Sequence, residues 1–208
     1  MITIALAKGR LSDLSIEILE KCGIDCAQVR DPGRKLILTE PTGEYTFILV
    51  KPTDVPTYVD HGVADIGICG KDTLLEENLP LYELIDLKFG ACKMCVCGFL
   101  QKPPAVGGVL RVATKYPNIA RNLYAARGVN AEVIKLNGSV ELGPLIGLSD
   151  VILDIVQTGE TLNANGLVVL EDICDISARA VVNKVSLKTK RTQMNALITT
   201  IKQVMETV

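Results

Sequence analysis

An acid at the end of an apolar run, followed by a T-G-x-T turn, stands at Asp154-Ile-Val-Gln157-Thr158-Gly159-Glu160-Thr161, and these residue types at this spacing suit a phosphorylated sugar. Amide groups freed around Gly159, with the hydroxyls of Thr158 and Thr161, make a dense set of donors for a terminal phosphate. Asp154 is then placed to accept from sugar hydroxyls, so a ribose 5-phosphate satisfies both halves. The plainer alternative is a capped helix start with Asp154 bonding its own loop. Lys8-Gly9-Arg10, Gly70-Lys71-Asp72 and Asn137-Gly138-Ser139 also set glycine beside polar residues, and each is a weaker candidate for a phosphate contact. Many such glycines merely turn the chain.

Cations also gather at strand ends and turns: Lys8 and Arg10, Arg30, Arg34, Lys35, Lys51 and Lys71. The chain carries 22 Lys plus Arg against 24 Asp plus Glu, a net charge of −2, so it exerts no general pull on nucleic acid or anionic membrane. A convergent cluster of these cations would be a local site suited to polyphosphate; scattered solvated side chains are the alternative. The usual nucleotide fingerprints are missing. Gly67-Ile-Cys-Gly70-Lys71-Asp72 fails the P-loop spacing, and no G-x-G-x-x-G occurs. His61 is the one histidine, so histidine metal sites and most nucleophile-base pairs have no support, and we read it as structural. Cys92-x-x-Cys95-x-Cys97 has no partner pair and lies in an expected strand, where Cys95 and Cys97 share a face as core thiols. Cys22, Cys26, Cys69 and Cys174 are scattered in apolar settings and read the same way.

The elements that must hold these residues follow from periodicity. Residues 2–7 read as a buried strand, and Leu11, Leu14, Ile18 and Cys22 as a helix that Gly23 stops. Residues 35–39 and 45–50 read as a hairpin-like pair, 64–69 as another strand, and 82–89 and 93–99 as extended runs before a proline- and glycine-rich surface loop at 103–108. A second βαβαβ series follows: strand 110–114, helix 117–127, strand 132–136, helix 139–148 and strand 151–156. Strands near 167–170 and 179–185 and an amphipathic helix through Met194, Leu197, Ile198 and Ile201 complete the chain. At 208 residues, 48% of them hydrophobic, this is a folded α/β protein with parallel strands, in one domain or two small lobes. Its longest uncharged runs are ten residues, short of the ~18–20 a membrane span needs. Lys8 interrupts the N-terminal run before a signal peptide develops, and seven cysteines without a framework suit reduced thiols, so a cytoplasmic location is expected.

Several motifs, taken together and in order, resemble the ATP phosphoribosyltransferase family: Ala7-Lys8-Gly9-Arg10-Leu11, Arg34-Lys35-Leu36, residues 50–59 (V-K-P-T-D-V-P-T-Y-V), residues 64–72 (A-D-I-G-I-C-G-K-D) and Asp154 through Asn165-Gly166-Leu167. The resemblance runs over nearly the whole chain. It implies transfer of the phosphoribosyl group of 5-phosphoribosyl diphosphate (PRPP) to N1 of the adenine of ATP, releasing pyrophosphate, with substrate-bound Mg²⁺. It also implies a two-lobed α/β fold like the type II periplasmic binding proteins, with a ligand cleft between lobes. Lobe I would be residues 1–90 plus 178–208, and lobe II residues 91–177 with the PRPP loop. Ending at Val208, the chain is similar to the short form. That form implies a regulatory subunit related to histidyl-tRNA synthetase, and a homodimer within a hetero-oligomer.

By the same resemblance, Asp154, Thr158, Gly159, Glu160 and Thr161 match the PRPP-binding loop, and Arg10 and Arg34 the positions that steady the departing pyrophosphate. Lys8, Lys51, Gly70, Lys71 and Glu141 match positions assigned to the substrate cleft, with no metal ligand on the protein. Gln157 stands where many members carry an acid, and Lys51 where arginine is also common. A solute-binding module, a regulator's effector domain, or a phosphoribosyltransferase acting on another base are the rival readings.

Overall fold

The computed structural model describes residues 1–9, 11–101 and 108–207, so Arg10 and residues 103–107 of the expected surface loop lie outside the described residues. The chain divides into two compact units, Met1–Gly90 with Ser177–Val208, and Ala91–Ile176.

The first unit begins with β1 (Ile2–Ala7), α1 (Ser12–Lys21), α2 (Ala27–Arg30), β2 (Ile37–Thr39) and β3 (Tyr45–Val50). A 3₁₀ turn at Pro52–Asp54 leads into α3 (Val55–Asp60), β4 (Ile66–Gly70), α4 (Lys71–Glu77) and β5 (Tyr82–Asp86). The second unit holds β6 (Cys92–Gly98), β7 (Leu110–Thr114), α5 (Pro117–Ala126), β8 (Ala131–Lys135), α6 (Leu142–Leu145), β9 (Val151–Val156), α7 (Glu160–Ala164) and β10 (Val168–Ile176). The chain then returns to the first unit as β11 (Ala178–Val182), α8 (Lys184–Thr189) and α9 (Arg191–Thr207).

The strand order is β2-β3-β1-β4-β11-β5 in the first unit and β10-β6-β9-β7-β8 in the second. Both sheets are mixed: β1 is parallel to β3 and β4, and β7 to β8 and β9, while β2, β11, β6 and β10 run antiparallel to their neighbours. β1 is buried on both faces, as its unbroken apolar run requires. Ile2, Ile4 and Leu6 pack with Leu19 of α1 and Met194, Leu197 and Ile201 of α9. Ala5 and Ala7, on the opposite face, meet Val55 and Val59 of α3. That second layer needs a glycine at position 67, because a Cβ there would lie 2.7 Å from both Val55 Cγ1 and Val59 Cγ2.

Three expectations change. The helix expected over 139–148 shrinks to α6: Ser139 takes φ +47° before it, Gly147 takes φ +75° after it, and Leu148 and Ser149 both donate back to the Gly143 carbonyl. The strand expected to reach residue 185 stops at Val182, because the Asn183 carboxamide caps α8 by accepting from Val185 and Ser186 N–H at 2.8 and 2.9 Å. The strand near 167–170 extends to Ile176; it is an edge strand, so Glu171, Asp172 and Asp175 can project to solvent where a central strand would exclude them.

The turn joining β2 to β3 is organised by one carboxylate. Glu40 accepts from the Thr42 hydroxyl and from the N–H groups of Thr42, Glu44 and Tyr45. The Thr42 hydroxyl, with those amides, outweighs burial and holds its carboxyl down at about 2. A carboxyl depressed below its unfolded value near 4.3 adds stability above that pH and loses it as the pH falls toward 2. Glu40→Gln is therefore expected to unfold at lower urea than the parent chain at pH 7, with the gap closing between pH 4 and about 2. Urea titrations at stepped pH check this; a gap of constant size would remove Glu40 from the turn's electrostatics.

Candidate functional site

β9 runs between β6 and β7 and delivers its acid to the carboxyl end of the sheet. Asp154 is nearly buried, sits opposite Cys95 of β6, and its Oδ1 accepts from the Ile155 N–H at 2.9 Å. The strand end is clamped by Thr114, fully buried at the end of β7: its hydroxyl donates to the Leu153 carbonyl at 2.6 Å and accepts from the Tyr116 N–H at 2.8 Å. Thr114 carries one signal in the sequence, a hydroxyl closing an apolar strand just before a helix that begins at Pro117.

After β9 the chain turns through Thr158 to Gly159, whose φ of +77° is the left-handed conformation that glycine adopts without a Cβ clash, and α7 starts at Glu160. A cavity of about 210 Å³ opens here, lined by Asp154, Thr158, Gly159, Glu160, Thr161 and Glu141. The five loop residues and Glu141 are thus brought around one space, although Glu141 is 13 positions from Asp154 in the chain. Thr158 and Thr161 are exposed, and Gln157 is exposed beside them. Cys95 and Cys97 line up on the Asp154 face of the sheet as buried thiols, pushed up to about 11 and about 12, chiefly by burial.

The cationic candidates belong to the first unit. β1, β3 and β4 are parallel, with Ala7 opposite Val50 and Leu6 opposite Ile68, so Lys8, Lys51 and Gly70-Lys71 all follow the same edge of the sheet. β2 is antiparallel to β3, and the Leu49 N–H donates to the Leu36 carbonyl, which puts the turn carrying Arg34 at that edge too. Arg34 lines a second cavity, of about 430 Å³, with Gln28, Asp31 and Lys35. Lys8, Lys51 and Arg34 are exposed and, among the described residues, joined to no carboxylate. Lys71 differs, since its ammonium pairs with Glu83. Gly70 leaves room for the Asp72 carboxylate, whose Oδ1 lies 2.1 Å from where a Cβ would stand. His61 is exposed at the end of α3, and no group of three or more His, Cys, Asp or Glu among the described residues is placed to hold a metal ion.

The architecture matches solved solute-binding proteins at low identity. The Escherichia coli periplasmic aliphatic sulphonate-binding protein SsuA superposes with a TM-score of 0.60 at 11% identity, over 98% of this chain and 72% of that one. The fold is therefore that of the periplasmic binding proteins, here with an acid and a T-G-x-T turn at the end of β9. The family model for HisG, ATP phosphoribosyltransferase, matches residues 51–203. An ATP phosphoribosyltransferase of Alkaliphilus metalliredigens is 54% identical over 95% of both chains, and one of Thermoanaerobacter sp. is 53% identical over 99% of this chain and 97% of its own. The chain in the Thermotoga maritima HisG:HisZ complex of ATP phosphoribosyltransferase superposes with a TM-score of 0.87 at 37% identity, covering 99% and 98%. The chain belongs to the ATP phosphoribosyltransferase family.

Proposed function

We propose that this chain transfers the phosphoribosyl group of PRPP to N1 of the adenine of ATP, releasing pyrophosphate, the first step of histidine biosynthesis. The observation that carries the reading is the gathering of Asp154, Glu141 and the Thr158 to Thr161 turn around one small cavity, in a chain of this family. The turn's amides and hydroxyls hold the 5-phosphate, while Asp154 and Glu141 accept from the ribose hydroxyls. Adenine N1 carries its own lone pair, so attack at the anomeric carbon needs no protein base, and a chain with one histidine loses nothing by it. What the reaction demands is two polyanions held together and charge stabilised on the leaving pyrophosphate. Arg34, Lys8 and Lys51 supply cations for that task, with Lys71 and, from the sequence, Arg10. Magnesium enters bound to the diphosphate of the substrate.

The Thermotoga relative was solved with HisZ, and we infer that this chain likewise works with a regulatory subunit related to histidyl-tRNA synthetase, as a homodimer within the larger assembly. No helix among the described residues is long and apolar enough to cross a membrane, and we place the enzyme in the cytoplasm with its substrates.

Incubation with ATP, PRPP and Mg²⁺, with and without that subunit, is expected to give a new adenine chromophore and stoichiometric pyrophosphate. Neither product under both conditions would defeat the reading, and pyrophosphate from another base alone would move it to a different phosphoribosyltransferase. Thr161→Val is expected to weaken PRPP binding by about 10- to 100-fold, the loss of one hydrogen bond to a charged group. Titration calorimetry with PRPP reads it directly, and an unaltered affinity would count against the loop as the phosphate cradle.

A further inference from the structure

A chain of ion pairs crosses the β4, β11 and β5 end of the first sheet. Lys71 Nζ, on the first residue of α4, donates to Glu83 Oε2 on β5. Glu83 Oε1 accepts from Arg179 Nη1 on β11 at 3.1 Å, and Arg179 Nη2 pairs with Asp86 Oδ2 at 3.1 Å. Asp86 Oδ1 accepts in turn from the Ser177 hydroxyl at 2.7 Å. The strands concerned are already joined by backbone ladders, with Arg179 directly opposite Asp86, so the pairs are not needed to set register.

Stability does not explain the arrangement well. Half-exposed ion pairs contribute little, and an arginine set between strands brings desolvation that an apolar side chain would avoid. Arg179 is the most buried of the four charged members, and its Nε is buried without a hydrogen-bond partner among the described residues. A guanidinium held at that cost by its two outer nitrogens fits a role in orienting something else. The free end of the chain is Lys71, whose ammonium has three donors and gives one to Glu83. It stands at the sheet edge that also carries Lys8, Lys51 and Arg34.

We infer that Glu83 and Arg179 are positioning residues: Arg179 fixes the Glu83 carboxylate, and Glu83 fixes the Lys71 ammonium toward the substrate polyphosphate. The inference rests on the reading of Lys71 as a substrate-facing cation. Glu83 has a second effect, since its charge partly neutralises Lys71. Removing that charge frees the ammonium to attract polyanion while leaving it unfixed. Orientation and attraction therefore change in opposite directions, a signature that loss of folding does not produce.

The test is a double-mutant cycle on the full chain with its regulatory subunit present, reading kcat and KM for ATP and PRPP. Lys71→Met is expected to lower kcat/KM by about tenfold or more, and Glu83→Gln to lower kcat by about tenfold with KM for the polyanion unchanged or lower. In the Lys71→Met background, Glu83→Gln should change kcat/KM by less than about twofold. Arg179→Lys, which keeps a cation against Glu83, should retain more of kcat than Arg179→Met at equal thermal midpoint. If Glu83→Gln does not fold, Glu83→Asp takes its place, keeping the charge while shortening the reach, and the same loss of kcat is expected. Independent, multiplicative effects of the two substitutions in an active enzyme would overturn the positioning role and leave the proposed reaction standing. An unaffected Lys71→Met would overturn it by removing Lys71 from the site. Absence of ATP phosphoribosylation by the parent chain would instead defeat the functional reading, and the inference with it.

Discussion

Arg34→Ala is expected to lower turnover by about 10²- to 10³-fold, equivalent to about 2.7–4 kcal/mol of transition-state stabilisation, with KM for either substrate moving far less. Charge builds on the pyrophosphate oxygens as the anomeric bond breaks, and a chain of net charge −2 must meet it with local cations. Arg34 is suited to this because it is exposed, has no carboxylate partner among the described residues, and borders a cavity of about 430 Å³ at the cationic edge of the sheet. Its planar fork can hold two phosphate oxygens at once, which a lysine cannot do, so Arg34→Lys should recover only part of the loss. By the family resemblance Arg10 would share this task, and Arg10→Ala is expected to cost a similar factor. Single-turnover rates with saturating ATP and PRPP decide the matter: unchanged turnover in both variants would take these arginines out of the reaction.

How legible these features are in the sequence depends on the range of the interactions behind them. β9 reads directly as residues 151–156, because a central strand buried on both faces is apolar, here at every position but Asp154. α5 is legible from Pro117 at its first position and Gly128 just past its end. α6 is not: residues 139–148 keep a helical pattern of apolar side chains, but Ser139 and Gly147 take left-handed φ at its two ends, and Gly143 packs where a Cβ would meet Ala113 and Ser149. The same division holds at the site. The T-G-x-T turn is local, so its residue types and the left-handed Gly159 can be read in line. The pairing of Lys71 with Glu83, 12 residues on, and of Glu83 with Arg179, 96 residues on, exists only because β11 returns between β4 and β5. No periodicity announces a strand that rejoins its sheet after the chain has built another unit.

Asp154→Asn is expected to lower kcat/KM for PRPP by about 10- to 100-fold, the range for losing a hydrogen bond accepted by a charged group, while KM for ATP stays within about twofold. Asparagine is the discriminating choice because it preserves shape. Its Oδ1 can still accept from the Ile155 N–H, so the local bond now seen at 2.9 Å survives, and Thr114 still clamps the Leu153 carbonyl one residue earlier. What changes is the other side of the group, where the proposed acceptor of sugar hydroxyls becomes an amide donor of no charge. Folding and the Thr158 to Thr161 turn should be untouched, and thermal unfolding beside the parent chain would show it. The two readings of Asp154 then separate. If its carboxylate only bonds its own loop, asparagine serves nearly as well and PRPP kinetics hardly move. If it receives the ribose, the loss falls on PRPP alone, and it should shrink toward nothing when ribose 5-phosphate analogues lacking the ring hydroxyls are compared as inhibitors of the two proteins.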